Sequence, residues 1–301
     1  MNYPQLLFPD FSLILCGYLV CRHTALNRTV WEPVESLVYY FMFPVLLFQS
    51  IIKSPLDFGT ASNLIVAGLL LVVAGIALAY ALPYLPWVGL HIQPRDHAAS
   101  AQTAFRFNSF IGLALAGKLA GPEGLLMVSI LIGVTVPLTN IGAVFPMARH
   151  ANLGLARELM RNPLILGTAC GLVGNLLGVH IPSWLEPTVT RIGGASLPLG
   201  LMAAGAGMQL GHLSRGKTLA VATLSIRHLI LPLVALGLAH ALRLEPRQST
   251  VLLMFSALPT ASSCYVLAAR MGYNAAYVAG LVTLSTVLGM LSLPFALGLL
   301  R

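Results

Sequence analysis

Ten apolar runs of membrane-spanning length constrain this chain more than any other feature of its sequence. A spanning α-helix needs about 20 predominantly apolar residues. The polar segments between the runs are short, and the longest of them, 148–161, is too short for a soluble domain. We therefore predict an all-α polytopic membrane protein with ten transmembrane helices. These are called runs 1 to 10 and lie near residues 5–22, 33–53, 62–84, 97–119, 123–147, 162–179, 186–211, 218–242, 247–270 and 274–300.

Composition excludes several other classes of protein. Charged residues make up 9% of the chain and hydrophobic residues 57%, whereas a soluble domain carries about 25% charged residues. A soluble enzyme, a disordered chain and a secreted disulfide scaffold are therefore excluded. The net charge of +8 comes from basic residues scattered singly, so we expect a lipid bilayer and no nucleic acid as partner. The cysteines show no metal-ligand spacing, so we expect buried thiols and no metal site; they are Cys16, Cys21, Cys170 and Cys264.

Basic residues in the loops predict the orientation of the chain. Cytoplasmic loops carry the excess of Lys and Arg in membrane proteins. With the N-terminus outside, nine basic residues fall in inside loops and five in outside segments, so we predict that both termini lie outside. The inside set is Arg22, Arg28, Arg95, Arg149, Arg157, Arg161, Arg215, Lys217 and Arg270, and the outside set is Lys53, Lys118, Arg243, Arg247 and Arg301.

The two halves of the chain show an internal similarity. A shift of 154 residues superposes uncommon residue types, and chance similarity in an apolar composition is the alternative. Because five helices are an odd number, a duplicated five-helix unit must insert upside down, and inverted repeats are typical of secondary transporters. We predict a first repeat over 1–147, a cytoplasmic connecting loop over 148–161 and a second, inverted repeat over 162–301. The matches are Pro9 with Pro163, Cys16 with Cys170, Glu32-Pro33 with Glu186-Pro187, and Pro44 with Pro198.

Runs 4 and 9 carry polar residues at corresponding positions, and run 9 also has a proline there, Pro259. Pro259 removes a backbone donor and disfavours helix at the residue before it. An unwound segment would leave half-helix N-termini that suit a carboxylate. The alternative is a proline kink whose freed backbone groups are satisfied by neighbouring Ser and Thr. The candidate substrate-binding residues are Arg106, Asn108, Ser109, Gly112, Pro259, Thr260, Ala261, Ser262 and Ser263.

Other residues inside the runs extend this interpretation. We expect helix breaks at Pro44 and Pro198, although close helix packing is the alternative role for run 7. Gln49 is a polar group on an apolar helix and is a further candidate for the cavity. Arg106 and Arg227 either offset a substrate carboxylate or extend to the cytoplasmic surface. Acidic residues are nearly absent from the middle of the runs, which favours an anionic substrate over a cation.

Six stretches of the sequence carry a family resemblance: 43–48, 106–108 with 111–113, 136–140, 161–165, 197–201, and 257–260 followed by 268–270. In their order and spacing they resemble the auxin efflux carrier family, and the sequence is similar to a bacterial relative of the plant PIN auxin exporters. The resemblance covers essentially the whole chain. One departure is that run 4 has Gly112-Leu113-Ala114 where many relatives have a second crossover proline, so we expect a milder break there.

This resemblance implies a fold and a mechanism. The fold would be that of the bile-acid sodium symporters, with runs 4 and 9 crossing where they unwind, near Asn108 and Pro259. Runs 1, 2, 6 and 7 would form a scaffold, and runs 3–5 and 8–10 a transport domain that moves against it like an elevator. Relatives also imply a homodimer through the scaffold, in the bacterial inner (plasma) membrane.

We therefore predict a secondary transporter of a small organic anion, a carboxylate or dicarboxylate similar to auxin or malonate, and not an enzyme. No cofactor is expected beyond coupling to Na⁺ or H⁺. The alternative is a sodium- or proton-coupled uptake symporter for another organic solute. A membrane-embedded enzyme would need a polar catalytic cluster, which the sequence lacks, and a seven-helix receptor disagrees with ten runs.

Overall fold

A computed structural model describes residues 3–53, 58–148, 163–208, 216–261 and 263–300. The predicted connecting loop therefore lies almost wholly outside the described residues, as does Ser262. The described part is helical, with a single isolated β-bridge. Its helices are α1 (Tyr3–His23), α2 (Arg28–Leu37), α3 (Phe43–Ile52), α4 (Phe58–Ala81), α5 (Pro94–Ser100), α6 (Gln102–Phe105), α7 (Ser109–Ala148), α8 (Pro163–Leu176), α9 (Glu186–Ala206), α10 (Lys217–Ser225), α11 (Leu231–Ala241), α12 (Pro246–Ser256), α13 (Ser263–Arg270) and α14 (Ala275–Gly298).

Each of the ten predicted apolar runs contains helix, and four of these helices are long and apolar enough to cross a membrane. The four cover runs 3, 5, 8 and 10, at Ser62–Tyr84, Glu123–Met147, Lys217–Ala241 and Ala275–Gly298. The chain is therefore an integral membrane protein, as predicted. Ten crossings and the inverted repeat remain predictions.

The boundary between runs 4 and 5 falls at Gly121, inside α7. This residue has φ 64° and ψ −156°, so α7 consists of two helices that meet at a sharp corner. That conformation is open to glycine and strained for other residues. A single glycine thus lets the chain turn between two runs without a loop.

Two of the predicted helix breaks are absent. The chain stays helical through Pro44, because a wide π turn at Val38–Met42 comes just before it. The π turn displaces the preceding carbonyls, which the proline ring would otherwise meet. Pro198 lies inside the continuous helix α9. There the proline removes one hydrogen bond, and the helix continues on either side of it.

The helices of runs 1, 2, 6 and 7 pack against one another. Helix α1 packs along α9, and α3 packs on α8 and α9. At the crossing of α1 and α9, a Cβ on Gly205 would overlap the carbonyl oxygen of Ile14, so the two backbones touch. Gly167 on α8 also lies close to Pro44, with 2.7 Å between an added Cβ and the Pro44 Cα. Small residues therefore set these helix contacts, as is usual in membranes.

The remaining helices form a second group around α12. Helix α12 packs on α7, α11 and α14, and α4 packs on α7 and α11. From Val251 to Thr260 every residue is buried. The polar break in run 9 therefore lies in the centre of the protein and not at its surface.

Loop contacts occur in two separate sets. In one set, Arg95 donates to the Gly272 carbonyl at 2.9 Å and Tyr277 to the Gly216 carbonyl at 2.8 Å. Both contacts join segments that the charge pattern assigns to the inside. The second set joins segments assigned to the outside: Lys53 with Glu186, Asn63 with the Leu242 carbonyl, and Arg247 with Glu123.

The expectation of four buried thiols is wrong for three of them. Cys264 is buried, Cys21 is half-buried, and Cys16 and Cys170 are exposed. The exposed pair lies on the outer faces of α1 and α8, where apolar side chains also point away from the protein. An apolar residue is not buried within its own chain when lipid covers it.

Candidate functional site

Runs 4 and 9 are both unwound, and their unwound segments pair with each other. Helix α6 ends at Phe105 and α7 begins at Ser109, while α12 ends at Ser256 and α13 begins at Ser263. Phe107 and Thr260 form an antiparallel bridge, and the Asn108 N–H donates to the Pro259 carbonyl at 2.7 Å. Each broken helix thus satisfies backbone groups that the other leaves free, as an apolar environment requires.

Thr260 fastens this crossover to two further segments. Its Oγ1 donates to the Thr103 carbonyl at 2.7 Å, and its N–H donates to Ser285 Oγ at 2.8 Å. The side chain is fully buried. Its hydroxyl therefore serves the crossover itself, which differs from the substrate-facing role expected from the sequence.

Run 4 unwinds over residues 106–108 although it lacks the second proline. Asn108 caps α7, because its Oδ1 accepts the Ile111 N–H at 3.3 Å. Gly112 lies against run 9, where an added Cβ would be 2.9 Å from the Leu258 side chain. The cap and the backbone bond to Pro259 replace the proline, so the milder break expected at this point is not seen.

Aromatic and small residues close the crossover on its packed side. The rings of Phe107 and Phe255 lie 4.3 Å apart. A Cβ on Gly289 of α14 would be 2.5 Å from the ring of Pro259, so only glycine leaves room for the proline. The half-buried candidates, Ser109 and Ala261, flank the buried pair Phe107 and Thr260.

Arg106 is held at the crossover by three neutral oxygens. Its Nη1 donates to Gln102 Oε1 at 2.9 Å, and its Nη2 donates to Asn140 Oδ1 at 3.2 Å and to Ser263 Oγ at 3.0 Å. The residue is 8% exposed. These contacts disagree with a side chain that extends to the membrane surface, and they leave direct substrate contact as the prediction to test.

A second buried arginine has a different role. Arg227 is 2% exposed, and its Nε donates to the Leu258 carbonyl at 2.5 Å. A weaker bond joins Nη2 to the Phe255 carbonyl at 3.4 Å. The guanidinium therefore caps the carbonyl end of α12, where the helix dipole is negative.

Most of the residues predicted for the site come together at the crossover, but Gln49 is held elsewhere. Its Nε2 donates to Thr190 Oγ1 at 2.5 Å, which joins runs 2 and 7. Ser262 lies outside the described residues. The residues found at the crossover are Arg106, Asn108, Ser109, Gly112, Pro259, Thr260, Ala261 and Ser263.

Three side chains near the site were not predicted as site residues. Asn140 of run 5 accepts from Arg106, and Gln102 holds the same guanidinium from one turn earlier. His228 lies between two hydroxyls, with Nε2 at 2.8 Å from Ser285 and Nδ1 at 2.8 Å from Ser292. Polar residues in apolar runs were the available signal, but the sequence does not show which runs are neighbours.

A polar triad that was also not predicted links run 2 to the second half of run 9. Arg28 Nη1 donates to Glu35 Oε1 at 2.8 Å, and its Nη2 donates to the Tyr265 hydroxyl at 3.0 Å. The Tyr265 hydroxyl in turn donates to Glu35 Oε2 at 2.6 Å. Because α2 and α13 belong to different helix groups, this triad ties the two groups together.

Comparison with known proteins gives one family and several distant relatives. Residues 139–297 match the family described as "Membrane transport protein". An "Uncharacterized transporter" of Methanothermobacter thermautotrophicus is 24% identical over 291 residues, which is 94% of this chain and 93% of the relative. "Uncharacterized transporter YfdV" of Escherichia coli is 24% identical over 88% of this chain and 87% of its own. A "Putative malonate transporter" of Rhizobium meliloti is 23% identical over 98% of this chain and 95% of its own.

Proposed function

Because this chain belongs to the membrane transport protein family of the auxin efflux carriers, we propose that it is a secondary transporter of a small organic anion. The substrate is a carboxylate or dicarboxylate of malonate size, bound where runs 4 and 9 cross. Transport proceeds by alternating access, in which the site opens to each side of the membrane in turn.

The crossover carries this proposal. Discontinuous helices that meet at the centre of a membrane protein are typical of the binding sites of transporters. Here α7 and α13 both begin beside the crossover, so two helix N-termini with partial positive charge lie close together. Such termini, with buried Arg106 next to them, favour an anion over a cation.

The pairing of helices supports an inverted repeat. In an inverted repeat, run 1 is equivalent to run 6 and run 2 is equivalent to run 7. The contact of run 1 with run 7 therefore corresponds to that of run 2 with run 6, and both contacts occur. The breaks in runs 4 and 9, which the same equivalence relates, pair with each other. The two separate sets of loop contacts agree with ten crossings that place both termini outside.

The two helix groups support an elevator-type motion. Runs 1, 2, 6 and 7 pack together through close backbone contacts and form the scaffold, and the other six runs carry the crossover and form the transport domain. Apolar side chains on the outer face of α8, including Leu166, Val173 and Leu176, are exposed and available for a second scaffold in a homodimer. The protein lies in the bacterial plasma membrane.

Counterflow in liposomes tests this function. Purified protein loaded with unlabelled malonate, malate or indole-3-acetate should accumulate the same labelled acid, saturably and above empty liposomes. Imposed Na⁺ and pH gradients distinguish simple efflux from the alternative, a coupled uptake symporter, which would accumulate substrate against its gradient. Absence of counterflow with all three acids would contradict the proposal.

A pair of asparagine variants tests the location of the site. Asn108→Ala removes the cap at the crossover, whereas Asn175→Ala removes an amide that donates to the Ile52 carbonyl within the scaffold. We expect counterflow to fall at least about tenfold for Asn108→Ala and to remain near the wild-type rate for Asn175→Ala. A folded Asn108→Ala protein with the wild-type rate would refute the assignment of the site.

A further inference from the structure

The side-chain NH₂ group of Asn140 is buried and has no hydrogen-bond partner in the described part of the chain. The residue is 7% exposed, and its Oδ1 accepts from Arg106 at 3.2 Å. The Nδ2 atom of the same amide is buried and makes no hydrogen bond with the described residues. Nearly all buried polar groups in proteins are hydrogen-bonded, so an unsatisfied donor at this position indicates a missing acceptor.

Arg106 beside it has no negatively charged partner among the residues that the structure describes. Its three described hydrogen bonds all go to neutral oxygens, and the ion pairs found among the described residues do not include it. A buried charge is costly unless an opposite charge and hydrogen bonds compensate it. One hydrogen-bond acceptor with negative charge would therefore satisfy both the Arg106 cation and the Asn140 NH₂ group.

We infer that Arg106, Asn140 and Ser263 form the pocket that binds the carboxylate group of the substrate. This inference rests on the proposed transport function and adds Asn140, on run 5, to the residues that recognise the anion. A carboxylate oxygen accepts from the guanidinium and from the Asn140 amide together, and such charge-assisted bonds are the strong ones. The Ser263 hydroxyl accepts from Arg106 and keeps its own proton to donate.

Gln102 fixes the guanidinium before an anion arrives. Its Nε2 donates to the Ala99 carbonyl at 2.9 Å and to the Cys264 carbonyl at 3.1 Å, which directs Oε1 at Arg106. The bond to Cys264 also links run 4 to the start of α13. Gln102 is therefore a positioning residue, and the pocket is preorganised.

The decisive variant is Asn140→Asp, which supplies an internal carboxylate beside Arg106. The new side chain has nearly the same shape and competes with the substrate anion. We expect the Kd for malonate, measured by calorimetry on purified protein, to rise by at least about tenfold. We also expect the melting temperature in anion-free buffer to exceed that of the wild type, because the buried cation gains its counter-charge.

Three controls separate this effect from general damage. Asn175→Asp makes the same chemical change on α8 and should leave the malonate affinity unchanged. Asn140→Leu removes the unsatisfied amide without adding charge and should weaken malonate binding without the gain in melting temperature. Malonamide, the uncharged analogue of malonate, should bind measurably neither to the wild type nor to Asn140→Asp.

Two outcomes would overturn the inference, and they are distinguishable from failure of the proposed function. Wild-type malonate affinity in folded Asn140→Asp would place the anion elsewhere, while counterflow by the wild type would still support carboxylate transport. If the wild type neither binds nor moves a carboxylate, the proposed function fails. A melting temperature of Asn140→Asp at or below the wild-type value then overturns the pocket as well.

Discussion

The hydroxyl of Thr260 should stabilise the crossover, and Thr260→Val removes it with almost no change in shape. The hydroxyl is fully buried and donates to the Thr103 carbonyl at 2.7 Å. In a continuous helix that carbonyl would accept the N–H four residues later, but Phe107 instead pairs with Thr260. The variant therefore leaves a buried carbonyl without a donor, which costs about 1–3 kcal/mol.

A matched control comes from Thr135→Val on α7. Thr135 is also fully buried, and its Oγ1 donates to the Leu131 carbonyl. That carbonyl lies inside a helix and keeps its backbone donor when the hydroxyl is removed. The loss should therefore be at most about 0.5–1.5 kcal/mol, the net contribution of one hydrogen bond.

Labelling of Cys264 measures the difference. This thiol is buried at the start of α13, next to the crossover, so it reacts only when the region opens. The other cysteines are replaced by Ser, which leaves one reporter; they are Cys16, Cys21 and Cys170. A loss of about 2 kcal/mol raises the labelling rate roughly 30-fold. Labelling of Thr260→Val at the rate of Thr135→Val would refute the assignment of this hydroxyl.

Two further predictions concern the scaffold and its link to the transport domain. Gly205→Ala should lower the unfolding free energy by about 1–3 kcal/mol, because the added methyl overlaps the Ile14 carbonyl. The control variant Gly237→Ala, in open space on α11, should raise the unfolding free energy by up to about 1 kcal/mol. Melting temperatures that shift in the same direction for Gly205→Ala and Gly237→Ala would contradict this prediction. Tyr265→Phe removes the hydrogen bonds of this hydroxyl to Arg28 and to partly exposed Glu35. It should speed counterflow about fivefold, for a net loss of about 1 kcal/mol, with the malonate Kd unchanged. An unchanged rate would show that the triad does not restrain the motion.

Local sequence signals predicted the parts of the site that depend on backbone chemistry. The break in run 9 follows from Pro259, which cannot donate a hydrogen bond. The break in run 4 was expected from its polar residues and from the internal repeat. Arg106, Asn108 and Thr260 were named because polar residues are unusual in the middle of a spanning run, and Gly112 was named because it lies at the break expected in run 4.

Contacts between distant runs could not be predicted in this way. Pro198 looks equivalent to Pro259 in sequence, yet α9 continues through it. Asn140 and Glu35 lie in ordinary helical runs, and their importance comes from the partners that the fold brings to them. With one sequence, nothing identifies such partners, because Arg106 lies 34 residues from Asn140, Tyr265 lies 230 residues from Glu35, and neither pair shares a local pattern.

The crossover also has a consequence for how the protein is made. Thr260 and Thr103, which it joins, are 157 residues apart in the chain. At a synthesis rate of about 5–20 residues per second, run 4 enters the membrane roughly 8–30 s before run 9 is available. During that interval its unwound backbone lacks the partners that an apolar environment demands. The first half must therefore wait beside the insertion machinery, or as a temporarily continuous helix, and it becomes a broken helix only when the second half arrives.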